Sequence, residues 1–87
     1  MKAEIYTRAD CGHCVRAKKL LDHNKIEYKE YVISLGYDEE PLTENVQYVT
    51  KEQLKERVPH AKTIPQIFLD GNYIGGADEL MEFFSKK

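Results

Sequence analysis

The chain lacks a second pair of cysteines. Its only two are Cys11 and Cys14, so the four regularly spaced ligands of a structural zinc site are not there. Position 15 is Val15, so the histidine that follows the second cysteine in a haem-attachment motif is missing. No apolar run approaches the roughly 20 residues needed to span a bilayer. The opening Met1-Lys2-Ala3-Glu4-Ile5-Tyr6 lacks the apolar core of a secretory signal, so a cytoplasmic setting is expected. Repeats, linkers and low-complexity segments are also missing. The formal net charge is −2, too small to point to nucleic acid or an anionic membrane. What remains is a chain of 87 residues, 41% hydrophobic and 32% charged, which suits one globular domain over residues 1–87 with a modest core.

Charge is unevenly spread. Residues 1–29 carry seven Lys/Arg against four Asp/Glu, residues 30–50 carry five acids and no base, and residues 51–87 balance six against six. The basic first third surrounds the cysteines, where it would favour a thiolate or an anionic substrate; a solvated helix face is the plainer account.

Cys11-Gly12-His13-Cys14 places two thiols two residues apart, just before a helical pattern. A disulfide that closes so short a loop removes little freedom from the unfolded chain, so the pair reads as chemical rather than architectural. In a reducing cytosol such pairs are more often catalytic or metal-binding than structural. At a helix start, Cys11 would meet unpaired backbone N–H groups and the positive end of the helix dipole, both of which favour a thiolate. Cys14, one turn on and more enclosed, would stay a thiol longer. Cys11 is therefore the expected nucleophile and Cys14 the resolving thiol. His13 adds positive charge when protonated, Arg8 and Arg16 can assist, and Asp10 opposes them unless it caps the helix. Zinc held by Cys11, Cys14 and His13 with His23 or His60 is an alternative, as are two inert buried cysteines.

Ala3-Glu4-Ile5-Tyr6-Thr7 alternates and reads as a strand. Cys14, Ala17, Leu20 and Leu21 recur at helical spacing up to Asp22-His23-Asn24. Glu27 to Ile33 reads as a second strand, which makes a βαβ unit with parallel strands. Ser34 to Val49 is the least readable stretch, with a short helix opening at Pro41-Leu42-Thr43-Glu44. Thr50-Lys51-Glu52-Gln53 matches a capping box, and the helix it opens runs to about Val58 before Pro59. Ile67-Phe68-Leu69 and Tyr73-Ile74 flank the turn Asp70-Gly71-Asn72. After Gly75-Gly76, the apolar residues Ala77, Leu80, Met81 and Phe84 mark a last helix. The order β-α-β, one or two helices, then β-β-α predicts an α/β fold: a four-stranded mixed sheet with helices on both faces.

Two further segments bear on the cysteines. Pro65 in Thr63-Ile64-Pro65 would cost a ladder hydrogen bond inside a strand. Either it starts an edge strand, or a cis bond before it sets a bend beside the cysteines. Gly75-Gly76-Ala77-Asp78 puts two glycines before a helix start, where the backbone can approach a ligand's carboxylate; a simple turn is the bland account.

Taken together, four segments resemble the glutaredoxin family of the thioredoxin superfamily. They are Ile5 to Cys14, with the dithiol loop; Thr63-Ile64-Pro65-Gln66-Ile67-Phe68; Asp70-Gly71-Asn72-Tyr73-Ile74-Gly75-Gly76; and Ala77-Asp78-Glu79-Leu80. The resemblance implies a thioredoxin fold and a dithiol enzyme of glutathione-dependent thiol–disulfide exchange. Cys11 maps to the nucleophile and Cys14 to the resolving cysteine, with Gly12, His13 and Pro65 as modulators. Arg8 stands where the family usually has Lys and would pair with the glycine carboxylate of glutathione. Backbone groups of Ile64 would hold the cysteinyl part, with Thr63 and Pro65 beside it. Gly76, Ala77 and Asp78 would hold the γ-glutamyl end, and Glu52 or Gln53 could add a polar contact. Glutathione is the implied co-substrate and no metal is expected. The implied partners are disulfide-containing client proteins, with ribonucleotide reductase a candidate; neither nucleic acid nor a membrane is expected, and the chain is expected to be a monomer. A redoxin served by thioredoxin reductase, an isomerase-like oxidant, and a zinc or iron–sulfur module are the rival readings.

The chain departs from the family twice. The usual dipeptide between the cysteines is Pro-Tyr, whereas Gly12-His13 matches protein disulfide isomerase domains and implies a more oxidising pair. The acidic segment from Glu30 to Thr50 is longer than in minimal glutaredoxins, and reads as a solvated insertion or a partner-specific surface.

Overall fold

The computed structural model describes residues 1–8, 11–33, 46–61 and 63–85. Their order is β1 (Lys2–Thr7), α1 (Gly12–His23), β2 (Glu27–Ile33), β3 (Val46–Val49), α2 (Lys51–Arg57), β4 (Gln66–Leu69), β5 (Asn72–Gly75) and α3 (Ala77–Ser85). The strands form one mixed sheet in the order β3-β2-β1-β4-β5. The β1–β2 pair is parallel, as a strand–helix–strand unit requires, and β2–β3 is parallel too. The β1–β4 and β4–β5 pairs are antiparallel.

The sheet carries one strand more than the four expected. Val46-Gln47-Tyr48-Val49 pairs along the outer edge of β2, from Glu30↔Val46 to Ile33↔Val49. Of the four residues, Val46 and Tyr48 are half-buried, Gln47 is exposed and Val49 is buried. They are too few to stand out beside the charged stretch that precedes them. The helix expected at Pro41-Leu42-Thr43-Glu44 lies outside the described residues, as does most of the acidic segment.

The period of two in β1 decides the layers. Ala3 and Ile5 face a core made with Ala17 and Leu21 of α1, Leu80 of α3, and Ile67 and Leu69 of β4. Tyr6 faces the other way, into a second core with Ile33, Val49, Leu54, Val58 and Phe68. Thus α1 and α3 cover one face and α2 the other. Ile5, Leu21, Ile67 and Leu80 are wholly buried, and each contributes roughly 1.5–3 kcal/mol by leaving water.

Local signals end the helices. The Thr50 hydroxyl accepts from the Gln53 N–H at 3.1 Å, and the Gln53 side chain accepts from the Thr50 N–H at 2.8 Å. This closes the capping box at the start of α2. The β4–β5 hairpin turns on Asp70 (φ 50°) and Gly71 (φ 83°). Two consecutive positive φ values favour Asp-Gly here, and they bring the strands back with the native twist. Among the described residues no helix is long and apolar enough to cross a membrane.

Candidate active site

Cys11 is the N-cap of α1. Its backbone is extended (φ −114°, ψ 104°), and its Sγ accepts from the Cys14 N–H at 3.2 Å. A sulfur in that position takes over the capping duty that an Asp or Ser oxygen performs elsewhere. Negative charge on it is favoured by that N–H and by the dipole of the following helix. Cys11 is half-buried, whereas Cys14 is only 2% exposed. The two are joined as a disulfide across a Cα–Cα separation of 5.3 Å, so this is the oxidised form.

Gly12 and His13, the first two residues of α1, are exposed. A Cβ placed on Gly12 meets nothing within 4 Å. The position therefore demands no glycine.

The segment before β4 comes to the same place from the far end of the chain. Cys11 Sγ lies 3.8 Å from the carbonyl oxygen of Ile64. The Ile64–Pro65 bond is cis, and Pro65 is buried just ahead of β4. The strand thereby starts at Gln66 and loses no ladder hydrogen bond to the proline. Because β4 lies between β1 and β5, the edge-strand account of Pro65 does not hold. Thr63 is exposed, and its carbonyl accepts from Gln66 Nε2 at 2.8 Å. Gln66 is 4% exposed, and its Oε1 accepts from the Tyr73 hydroxyl. This buried amide ties the Thr63 loop to β5. In the sequence Gln66 stands within segment 63–68 only as a lone polar residue between Pro65 and Ile67, with no role attached to it.

Gly76 completes the row. A Cβ there would sit 3.3 Å from the Pro65 carbonyl oxygen, so its backbone packs directly on the cis-proline segment. Its carbonyl accepts from Leu80, which opens α3, and its N–H donates to Glu79 Oε2 at 3.1 Å. Ala77 is buried and Asp78 exposed in the first turn. The fold thus brings Cys11, Ile64, Pro65 and Gly76 together. Arg8 is exposed and lines, together with Cys11, a hollow of about 520 Å3. Gln53, considered as a further polar contact, is occupied by the α2 cap, and Glu52 is exposed on that helix.

That hollow contains groups the sequence did not point out. Thr7, Lys18 and Glu30 line it with Arg8, Cys11 and Cys14. The Thr7 hydroxyl donates to Glu30 Oε2 at 2.6 Å, and Lys18 Nζ reaches the same carboxylate at 3.2 Å. A larger hollow of about 980 Å3, lined by Lys2, Tyr28 and Asp70 among others, touches neither cysteine. Among the described residues no three His, Cys, Asp or Glu side chains are grouped to hold a metal ion.

A helix that starts on the first of two vicinal cysteines, faced by a cis-proline and packed on a mixed sheet, defines a thioredoxin-fold dithiol protein. The model of the glutaredoxin family matches residues 3–74. Glutaredoxin 1 of Rickettsia conorii is 36% identical over 78 residues, which are 90% of this chain and 67% of that one. Glutaredoxin 1 of Francisella tularensis, crystallised with cacodylate, superposes with a TM-score of 0.71 at 29% identity, over 98% of this chain and 93% of that one. A buckwheat glutaredoxin–glutathione complex shares the fold, with a TM-score of 0.62 at 23% identity over 97% of this chain and 68% of that one. The chain belongs to the glutaredoxin family, and its activity is thiol–disulfide exchange. Glutaredoxins use glutathione as reductant.

Proposed function

We propose that this chain is a glutathione-dependent dithiol glutaredoxin, with Cys11 as nucleophile and Cys14 as resolving thiol. The observation that carries the assignment is the Cys14 N–H directed at Cys11 Sγ, at the positive end of α1. Only the thiolate attacks a disulfide, so the sulfur held by the helix N-terminus is the one that begins. It attacks one sulfur of a client disulfide or of a glutathionylated thiol. The client's other sulfur leaves as a thiolate, and a mixed disulfide forms on Cys11. Cys14 then displaces the client and closes the internal disulfide, or glutathione takes the adduct directly. Two glutathione molecules return the internal disulfide to the dithiol.

Glutathione lies along the row already described. Arg8 pairs with its glycine carboxylate. Ile64 offers the backbone for strand-like pairing with the cysteinyl part, with Thr63 and Pro65 beside it, and Gly76, Ala77 and Asp78 hold the γ-glutamyl end. The 3.8 Å approach of the Ile64 carbonyl to Cys11 and the seat of Gly76 on Pro65 support a continuous groove. Residues 1–87 act as one glutaredoxin-like domain, a monomer in a reducing cytoplasm. Its clients are disulfide-containing proteins, ribonucleotide reductase being a candidate.

One assay tests the reading: reduction of a glutathione mixed disulfide by glutathione, beside reduction of a protein disulfide. The wild type performs both. Cys14→Ser keeps the first and loses the second, and Cys11→Ser loses both. Full activity in Cys11→Ser, or turnover by thioredoxin reductase but not by glutathione, would sink the proposal. The exposed Gly12-His13 pair favours a second reading, an isomerase-like oxidant. Net oxidation of a reduced protein substrate in a glutathione buffer would decide for it.

A further inference from the structure

The cluster of Thr7, Lys18 and Glu30 beside the dithiol is unexplained by the reading above. Glu30 occupies an inward position. It pairs with Ile5 across β1–β2, and Ile5 belongs to the core under α1 and α3. A hydrophobic side chain is the usual occupant of such a site. The Glu30 side chain is instead 15% exposed, held by the buried Thr7 hydroxyl and by Lys18. A carboxylate drawn out of water costs free energy that its ion pair only partly offsets, so stability is a poor reason to keep it. Lys18 lies four residues after Cys14 on α1 and therefore on the same helix face. Cys14, Lys18 and Glu30 line one hollow of about 520 Å3, room for several waters at roughly 30 Å3 each.

We infer that Glu30 accepts the proton of Cys14 when Cys14 resolves the mixed disulfide, with Lys18 as the counter-ion; this rests on the dithiol reading proposed above. The Cys14 thiol passes its proton through the hollow to the Glu30 carboxylate. The Cys14 sulfur then bonds to Cys11 Sγ, and the bond between Cys11 Sγ and the departing thiol breaks. The departing sulfur carries away the electron pair as a thiolate and takes up the proton. Negative charge moves from carboxylate to sulfur within the hollow that Lys18 also lines. The charged and titratable groups around Glu30 are Lys18 and Cys14 of α1, the cap residue Cys11, Arg8 before it, Tyr48 of β3, and Tyr28 on the same strand. Thr7 of β1 orients the carboxylate without titrating.

The test uses the full reduced chain and oxidised glutathione as the probe. Acid-quenched samples, weighed by mass spectrometry, separate the glutathione adduct on Cys11 from the internal disulfide that follows. With a positioned base, the resolving rate of the wild type is flat between about pH 6 and 8. Glu30→Gln forms the adduct at the wild-type rate but resolves it about a hundredfold more slowly at pH 7, the lower end of what a positioned base supplies. Its resolving rate climbs about tenfold per pH unit, because free thiolate must now form first. Lys18→Met slows the same step and serves if Glu30→Gln does not fold. An unchanged resolving rate with an unchanged pH profile would overturn the inference. So would an equal slowing of both steps accompanied by a lower melting temperature, which is the mark of a merely structural pair. A wild type that forms no adduct on Cys11 would remove the dithiol reading itself, and this inference with it; that failure shows in the first step rather than the second.

Discussion

At the scale of the residue, the unusual pair is Gly12-His13. Both are exposed at the start of α1, and Gly12 has free space where a side chain would go. Proline suits a first helical position, so the family's customary Pro-Tyr fits there without disturbing the fold. What the pair alters is then chemical. A potential near or above about −200 mV is expected, toward the isomerase value of about −180 mV rather than the glutaredoxin range of about −200 to −230 mV. The double substitution Gly12→Pro with His13→Tyr should lower it into that range. Equilibration with glutathione buffers measures both. A wild-type value near about −270 mV, that of thioredoxin, would contradict the expectation. At this scale the sequence was most legible. The spacing of Cys11 and Cys14 and the helix that follows are local features, and the structure has Cys11 as the N-cap. Gln66, Glu30 and Lys18 were not legible, because each matters through a partner distant in sequence.

At the scale of the element, α2 shows how few residues decide a short helix. It spans Lys51–Arg57 and buries only Leu54, so its own apolar stripe is thin. Isolated helices of this length are marginal in water, which leaves the start to the Thr50–Gln53 capping box. Thr50→Ala should cost about 1 kcal/mol, a fall of roughly 4–8 °C in Tm for a domain of this size. Calorimetry reads the change, and a shift below about 1 °C would mean that packing alone holds the helix. The capping box was visible in the sequence as a pattern of four residues. Strand β3 was not: four residues with no neighbouring partner gain their identity only by pairing with Glu30 to Ile33.

At the scale of the whole molecule, one cluster joins the layers. Arg57 of α2 meets Glu4 of β1 through two nitrogens, at 2.8 and 2.9 Å, and lies 3.7 Å over the Phe68 ring. The guanidinium holds the Glu4 carboxyl below its ordinary value of 4.5 and itself becomes harder to deprotonate. A carboxyl with a lowered folded-state pKa adds stability above its unfolded value, and that contribution fades as pH falls through the folded one. Unfolding followed from pH 7 downward should therefore show a loss beginning near pH 4.5 that Glu4→Gln makes shallower. Identical slopes below pH 4.5 in the two proteins would show that the pair is too well solvated to matter.

By itself the sequence determined the dithiol and its helix, the caps and turns, the parallel β1–β2 unit and the family, since each rests on residues close together in the chain or on motifs in fixed order. Tertiary structure alone decided that the sheet has a fifth strand, that Pro65 enters a central strand through a cis bond beside Cys11, and that Glu30 meets Thr7 and Lys18 at the dithiol. These pairings span 12 to 53 positions of the chain. The register of the sheet and the side of it that each helix covers bring them about, and those are properties of packing that no local stretch of residues encodes.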